Sequence, residues 1–205
     1  MISHSAQLFT KRLVDVLVAG TLLVTLSPLL GAIALVVRRT SGSPVLYHWR
    51  VVGQHGRPFT SYKFRTMVPN ADALKPLLLA NNTMRGPVFK MPDDPRVTPV
   101  GRILRRYSLD ELPQLWSVLK GDMSLVGPRP PLQSEYVEFT EAQRQKLTVK
   151  PGITCLWQVS GRNNIRDFDE WVRLDTEYIR EWSLWLDLKI LVRTIPAVLR
   201  ANGAS

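Results

Sequence analysis

Hydrophobic positions run almost unbroken from Leu13 to Val37, alternate in two short runs after Val45, and then recur at helical spacing through the rest of the chain. The first run exceeds the roughly 20 apolar residues with which a helix crosses a bilayer. Ser27-Pro28 sits near its middle, where proline has no N–H to give and its ring crowds the preceding turn, so a kink or break is expected. The Ser27 hydroxyl is placed to satisfy a carbonyl freed by that break. Lys11 and Arg12 precede the run and Arg38 and Arg39 follow it, whereas a single span normally carries its basic excess on one side. The pattern favours a helix that enters, bends at Ser27-Pro28 and returns to the same face, over a kinked single span. Asp15 near the start of the run is expected at headgroup depth, because a carboxylate inside lipid is costly. A secretory signal is not expected: no small-residue cleavage pattern follows, and the run is too long.

Beyond Arg39, residues 40–44 read as a turn. The runs 45–49 and 59–62 flank Gly53-Gln-His-Gly56 and predict a β-hairpin, with Lys63 and Arg65 on its return side. Asp72 to Ala80 reads as helix and 81–99 as a long polar connection. A basic helical stretch covers Arg102 to Arg106. A further helix is expected from Asp110 to Leu119, with Leu112, Leu115, Trp116 and Leu119 on one face. Gly127-Pro128-Arg129-Pro130 is rigid and extended, Glu135 to Lys146 reads as an amphipathic helix, 150–154 and 159–164 as loops, and Asp167 to Trp182 as helix. Trp182 to Arg193 fits either an interfacial helix with Trp at headgroup depth or ordinary core packing.

The chain has 205 residues and a net charge of +10, and Arg outnumbers Lys, which points to anions and to bidentate phosphate recognition. Nucleic acid, anionic lipid and a phosphorylated small substrate all satisfy that condition. Cys155 is the single cysteine, so no internal disulfide forms and the folded part is expected to face a reducing cytosol. With three histidines and one cysteine a zinc site is not expected, and any metal would be a hard, oxygen-ligated ion such as magnesium. Chemistry concentrates at Ser108-Leu-Asp110-Glu111-Leu-Pro113. Its plain reading is a capping box, with Ser108 as cap and Glu111 three residues on. Arg102, Arg105 and Arg106 upstream and Arg129 downstream change that balance toward a site for a phosphorylated substrate and a divalent ion. An attacking carboxylate must be ionised beside a second one, and a helix N-terminus, magnesium and arginines each favour the charged form. They would also offset repulsion from an incoming diphosphate.

Several segments in order carry a resemblance: Lys11-Arg12 through Ser27-Pro28, Lys63-Phe-Arg65-Thr-Met67, Ser108-Leu-Asp110-Glu111-Leu-Pro, Lys120-Gly-Asp-Met-Ser-Leu-Val-Gly-Pro-Arg129-Pro, and Lys150-Pro-Gly-Ile-Thr with Gln158-Val-Ser-Gly-Arg162. Nearly the whole chain resembles the bacterial sugar transferase family of monotopic polyprenyl-phosphate phosphoglycosyl transferases. The resemblance implies transfer of a sugar-1-phosphate from a UDP-sugar to undecaprenyl phosphate with release of UMP, at the start of exopolysaccharide, capsule or O-antigen assembly. It implies Asp110 as nucleophile forming an acyl phosphate, Glu111 as its partner, and Mg2+ on Asp110 and the diphosphate. It further implies Arg129 and Arg105 as phosphate contacts and Ser27-Pro28 as the re-entrant break. Lys63, Arg65, Arg162 and Asp175 fall on characteristic positions, with a substrate contact and a structural salt bridge equally open for each.

Two departures stand out: Cys155 occupies a position where the family commonly has Gly, and larger relatives carry further N-terminal helices, so the chain is either the small form or a catalytic domain. The stretch 85–98 resembles members that transfer hexose-1-phosphates. The expected architecture is α+β and mainly helical. Residues 1–40 form the re-entrant membrane helix and its lead-in, and residues 41–205 a membrane-associated catalytic domain whose interfacial helices and small β-hairpin surround a cytosolic active site. The expected location is the cytoplasmic face of the bacterial inner membrane, with membrane lipid as a partner and a homodimer open. A nucleic-acid-binding protein is the rival class, but the basic residues are interleaved with prolines and carboxylates and no recognition motif stands out. A non-catalytic membrane scaffold is the other.

Overall fold

Two helices that meet at a bend open the fold. In the computed structural model, which describes residues 3–161 and 165–199, α1 (His4–Thr25) and α2 (Ser27–Ser41) change direction by 61° across Leu26. Among the described residues no single helix is long and apolar enough to cross a membrane, whereas this bent pair together meets that length and composition. The break satisfies its own backbone. Pro28 has no N–H for the carbonyl of Val24, and the Ser27 hydroxyl donates to that carbonyl instead, at 2.8 Å. Thr25 Oγ1 donates to the Thr21 carbonyl at 2.8 Å in the same way.

The hairpin follows as β1 (Leu46–Val52) and β2 (Pro58–Phe64), antiparallel, with Leu46 opposite Phe64 and Val52 opposite Pro58. It is longer than the apolar alternation implied, because the pairing continues through Arg50 and Lys63. The expected helix at 72–80 is a short α3 (Ala71–Leu74) that tightens into a 3-10 turn, Lys75–Asn81. Then come α4 (Pro99–Arg106), a 3-10 turn at Leu109–Gln114, α5 (Leu115–Lys120) and β3 (Ser124–Val126).

The single amphipathic helix expected at 135–146 does not form. It is split into α6 (Gln133–Tyr136), α7 (Glu141–Arg144) and a 3-10 turn, Gln145–Leu147. The Glu135 carboxylate turns back to accept the Leu132 N–H at 2.9 Å, and Thr140 and Gln143 begin a new helix with a reciprocal capping box. The loop expected at 150–154 contains β4 (Gly152–Thr154), parallel to β3. Glycine is needed there: a Cβ on Gly152 would lie 2.1 Å from the Gly127 nitrogen. A short α8 (Leu156–Val159), α9 (Phe168–Arg180) and α10 (Leu184–Leu199) complete the chain. In α10, Ile190 is buried while Trp185, Val192 and Ile195 are exposed, so core packing accounts for one face only.

One apolar cluster centres on Trp157 and Trp171, stacked at 4.1 Å. A second gathers Leu115, Val118, Met123 and Ile190 around Ala19 of α1, and a third joins Ile33 and Val37 of α2 to Phe64 and Leu104. Both helices of the bent pair are thus built into the cores. Polar groups fix α1 further. Arg12 donates to the Val118 and Leu119 carbonyls near the end of α5, at 2.6 and 2.7 Å. Lys11 donates to the Val126 carbonyl at 3.0 Å and pairs with Asp187 at 2.5 Å. Asp15 is buried within the protein, where it accepts the Leu125 N–H at 2.9 Å and the Ser124 hydroxyl at 3.1 Å.

Candidate active site

Ser108 decides how the acidic pair is presented. It adopts a left-handed backbone, φ +53°, and its side chain makes no cap bond, so the capping box expected from the sequence does not form. The segment is a 3-10 turn of six residues instead of the start of an α-helix, so the charges around it matter more than any helix macrodipole. Asp110 is buried and Glu111 lies beside it, both on the wall of a cleft of ≈ 840 Å³. A buried hydroxyl pair, Ser61 to Ser117 at 2.9 Å, ties β2 to α5 behind the turn.

Cations close on the pair from three sides. Lys63 of β2 donates to Glu111 Oε1 at 2.7 Å, and its ammonium lies 3.9 Å from the centre of the Trp49 ring. Burial is the main influence on Lys63 and lowers its pKa, while the Glu111 charge works the other way and Arg129 adds to the lowering. Arg129, on the extended Gly-Pro-Arg-Pro segment, stands 5.5 Å from the same Trp49 ring and faces the cleft. Arg105 of α4 donates to Thr66 Oγ1 at 2.9 Å. Its guanidinium is buried, which lowers its pKa, and the charges of Asp110 and Asp94 oppose that. Gly101 makes the approach possible, since a Cβ there would meet the Thr66 carbonyl oxygen at 2.0 Å.

Other residues singled out from the sequence fall elsewhere. Arg65 lines the cleft, but its guanidinium is spent on the carbonyls of Ser41, Gly42 and Ser43, where it closes the turn after α2. Asp175 lies in the core and pairs with Lys146 at 2.7 Å, both almost fully buried, and does not line the cleft. Burial raises its pKa, with Lys146 as the main opposing charge. Ser27 and Pro28 form the bend. Arg162 lies outside the described residues.

The cleft also holds groups that the sequence reading passed over. Trp49 sits under two cations, its inward position following from the strand alternation of β1. Glu135 is a buried carboxylate whose pKa is raised by burial and countered by Arg129; the single-helix reading of its segment hid it. Asp94 and Arg96 form a buried pair at 2.6 Å, with the Arg96 guanidinium 5.2 Å from the Phe89 ring. Among the described residues no cluster of three or more His, Cys, Asp or Glu side chains forms a ready metal cage. A basic cleft with two adjacent carboxylates is suited to receiving a phosphate-rich molecule and handling its charge at one point.

Comparison with known proteins decides the family. Residues 6–201 match the sequence pattern of the family described as Bacterial sugar transferase. The chain belongs to that family. Among curated bacterial sugar transferases it is 48% identical over 200 residues to the galactosyl transferase CpsE of Streptococcus agalactiae, covering 97% of this chain and 44% of that protein. It is 46% identical to the undecaprenyl-phosphate galactose phosphotransferase of Salmonella typhimurium, covering 96% of this chain and 42% of that protein. The exopolysaccharide production protein ExoY of Sinorhizobium fredii is 41% identical, with 95% of this chain and 88% of that protein covered. This bacterial sugar transferase chain thus spans less than half the length of the first two relatives and most of the third.

Proposed function

We propose that this bacterial sugar transferase chain is a polyprenyl-phosphate phosphoglycosyl transferase that moves a hexose-1-phosphate from a UDP-sugar to undecaprenyl phosphate, initiating assembly of a membrane glycan. The single observation that carries the proposal is the buried Asp110 beside Glu111 in a cleft walled by Lys63, Arg105 and Arg129. The names of these relatives, galactosyl transferase and undecaprenyl-phosphate galactose phosphotransferase, support the substrate class and favour galactose as the hexose.

In this mechanism a carboxylate oxygen of Asp110 attacks the sugar-bearing phosphorus. The bond from that phosphorus to the bridging oxygen breaks, UMP leaves with the bridging oxygen, and an aspartyl phosphosugar remains. A phosphate oxygen of the lipid acceptor then attacks the same phosphorus, freeing the Asp110 carboxylate and forming the lipid diphosphate sugar. One anhydride replaces another through an acyl phosphate, so the transfer potential of the donor is retained. Arg105 and Arg129 hold the diphosphate oxygens, and Lys63 holds Glu111 in place beside the nucleophile. Two adjacent carboxylates suit magnesium, which is usually held by one or two carboxylates together with substrate phosphates. Asp110, with Glu111 close by, would hold it, and when bound it supplies charge neutralisation at the diphosphate.

The bent helix pair supports a monotopic arrangement on the cytoplasmic face of the inner membrane. With both arms tilted equally, a 61° bend leaves each about 30° from the membrane plane, and the 15 residues of α2, about 22 Å long, reach a depth of about 11 Å. In that orientation the pair reaches less than half of a hydrocarbon core of roughly 30 Å, with both arms on one face. The test is a single-turnover experiment. Enzyme with UDP-galactose and magnesium, without acceptor, is expected to release about one equivalent of UMP per active site, and Asp110→Asn to release none while keeping its thermal transition. UMP appearing only when acceptor is present would remove Asp110 as nucleophile.

A further inference from the structure

A second cleft, ≈ 930 Å³, opens on the other side of the dyad turn, and the two clefts share Ser108 and Glu111. Their walls differ in character. The first is rich in arginine and lysine, whereas the second is lined mainly by aliphatic side chains, among them Leu22 of α1, Leu112 of the dyad turn, and Leu191 and Ala197 of α10. Among the described residues its one cation is Arg193, an exposed residue of α10 for which no hydrogen bond or ion pair is formed among those residues. The volume lies in the range of ligand sites, and an apolar slot with one unengaged guanidinium and a catalytic carboxylate in its wall fits an amphiphile with an anionic head. Leu22 lies four residues before the bend at Leu26, so the slot is continuous with the bent helix pair.

We propose that this second cleft is the acceptor's binding site. The first isoprene units of a polyprenyl phosphate lie against Leu22, Leu112, Leu191 and Ala197, and Arg193 holds the phosphate, which reaches the dyad past Glu111. This rests on the phosphoglycosyl transfer described above. It explains how one dyad serves two unlike substrates: the nucleotide enters and leaves by the basic cleft, and the lipid arrives from the apolar one. Asp110 lines only the basic cleft and Glu111 lines both, so Glu111 marks the boundary at which the phosphosugar changes hands.

The experiment separates the two halves of the reaction in the intact chain reconstituted in lipid nanodiscs. Arg193→Ala is expected to leave single-turnover UMP release unchanged and to raise the KM for polyprenyl phosphate by about tenfold or more, with Arg193→Lys restoring most of it. Ala197→Trp fills the slot and is expected to stop full turnover without touching the UMP burst. A photoreactive polyprenyl phosphate supplies a readout that needs no turnover: it should label α10 in the wild type and not in Ala197→Trp. Labelling of α10 undiminished in Ala197→Trp, or an unchanged acceptor KM in both Arg193→Ala and Ala197→Trp, overturns the assignment. A wild-type enzyme that labels on α10 but gives no UMP burst would instead refute the covalent route and leave the lipid site standing.

Discussion

Lys63→Met removes the cation that pairs with Glu111 and leaves that carboxylate in a poorly hydrated wall. The two side chains retain 14% and 13% of their exposure, so the pair is close to buried, and breaking such a pair from one side costs about 3–5 kcal/mol when burial is complete. The burial cost of the ammonium, which lowers the Lys63 pKa, is relieved by the same change, so the expected net loss is only about 1 kcal/mol, the hydrogen bond to Glu111 that Met cannot make. For a chain of 205 residues that corresponds to a fall in Tm of about 2–4 °C. Glu111→Gln in the same background should recover part of it, since the uncompensated charge is then gone. On the proposed mechanism UMP release should fall by about a hundredfold, because Glu111 beside Asp110 loses its fixed orientation. Thermal unfolding of the two single variants and the double variant, with single-turnover UMP release on each, supplies a double-mutant cycle. Strict additivity, with no coupling between Lys63 and Glu111, would refute the claim that this ion pair organises the dyad.

The same lysine sets a pH dependence with a defined sign. Burial lowers its folded pKa below the ordinary value of 10.5, so in a window just under 10.5 the folded protein has released a proton that the unfolded chain still binds. Stability from this group therefore rises with pH across that window, while activity falls as the ion pair with Glu111 is lost. The alkaline limb of kcat/KM is expected below 10.5 in the wild type and at higher pH in Lys63→Arg, whose guanidinium stays charged.

Arg12→Ala deletes two charge-assisted bonds to α5, an expected loss of about 2–4 kcal/mol. UMP release should fall with it, because α5 continues directly from the dyad turn; thermal unfolding and the burst assay check both. Lys146→Met leaves the buried Asp175 carboxyl without its counter-charge, a cost of about 3–5 kcal/mol. The folded pKa of Asp175 already lies above its unfolded value, so the folded state binds the extra proton as pH falls. The deficit should therefore shrink toward acid, which Tm measured at a series of pH values will show.

The hairpin, α9 and the bent apolar helix pair were legible in the sequence because each is a local pattern: strand alternation, helical spacing, and a long apolar run with Ser27-Pro28 inside it. The acidic pair was legible because two carboxylates among arginines are conspicuous in any fold. What local pattern hid was set by contacts distant in sequence. Ser108 has the spacing of a capping box, but the chain turns left-handed there, which swings Asp110 into the cleft instead of continuing a helix. The segment from Glu135 to Lys146 carries a helical pattern, yet Glu135 satisfies the Leu132 N–H, and Lys146 is drawn to Asp175 of α9. Strand β4 exists only because Gly152 and Gly127 allow two backbones to touch, a condition no apolar period announces.

The basic flank of the anchor teaches most about how the site is held. Lys11 and Arg12 suggest a headgroup contact at the mouth of a membrane run, and by charge alone they balance Arg38 and Arg39. In the structure they point inward: Arg12 caps the carbonyls of α5, and Lys11 joins Val126 to Asp187. Asp15, one helical turn on, takes the Leu125 N–H. Three polar residues near the start of the anchor therefore grip α5, β3 and α10, and α5 is the direct continuation of the turn that carries Asp110 and Glu111. A bend that fixes how deep α1 and α2 lie would thereby fix the height of the dyad as well, through rigid elements and without a flexible linker. That leaves Arg38 and Arg39, both exposed, as the basic residues of the run free to meet anionic headgroups. Replacing Arg38 and Arg39 should weaken membrane association and leave the fold intact, whereas replacing Lys11 or Arg12 should unseat the dyad itself.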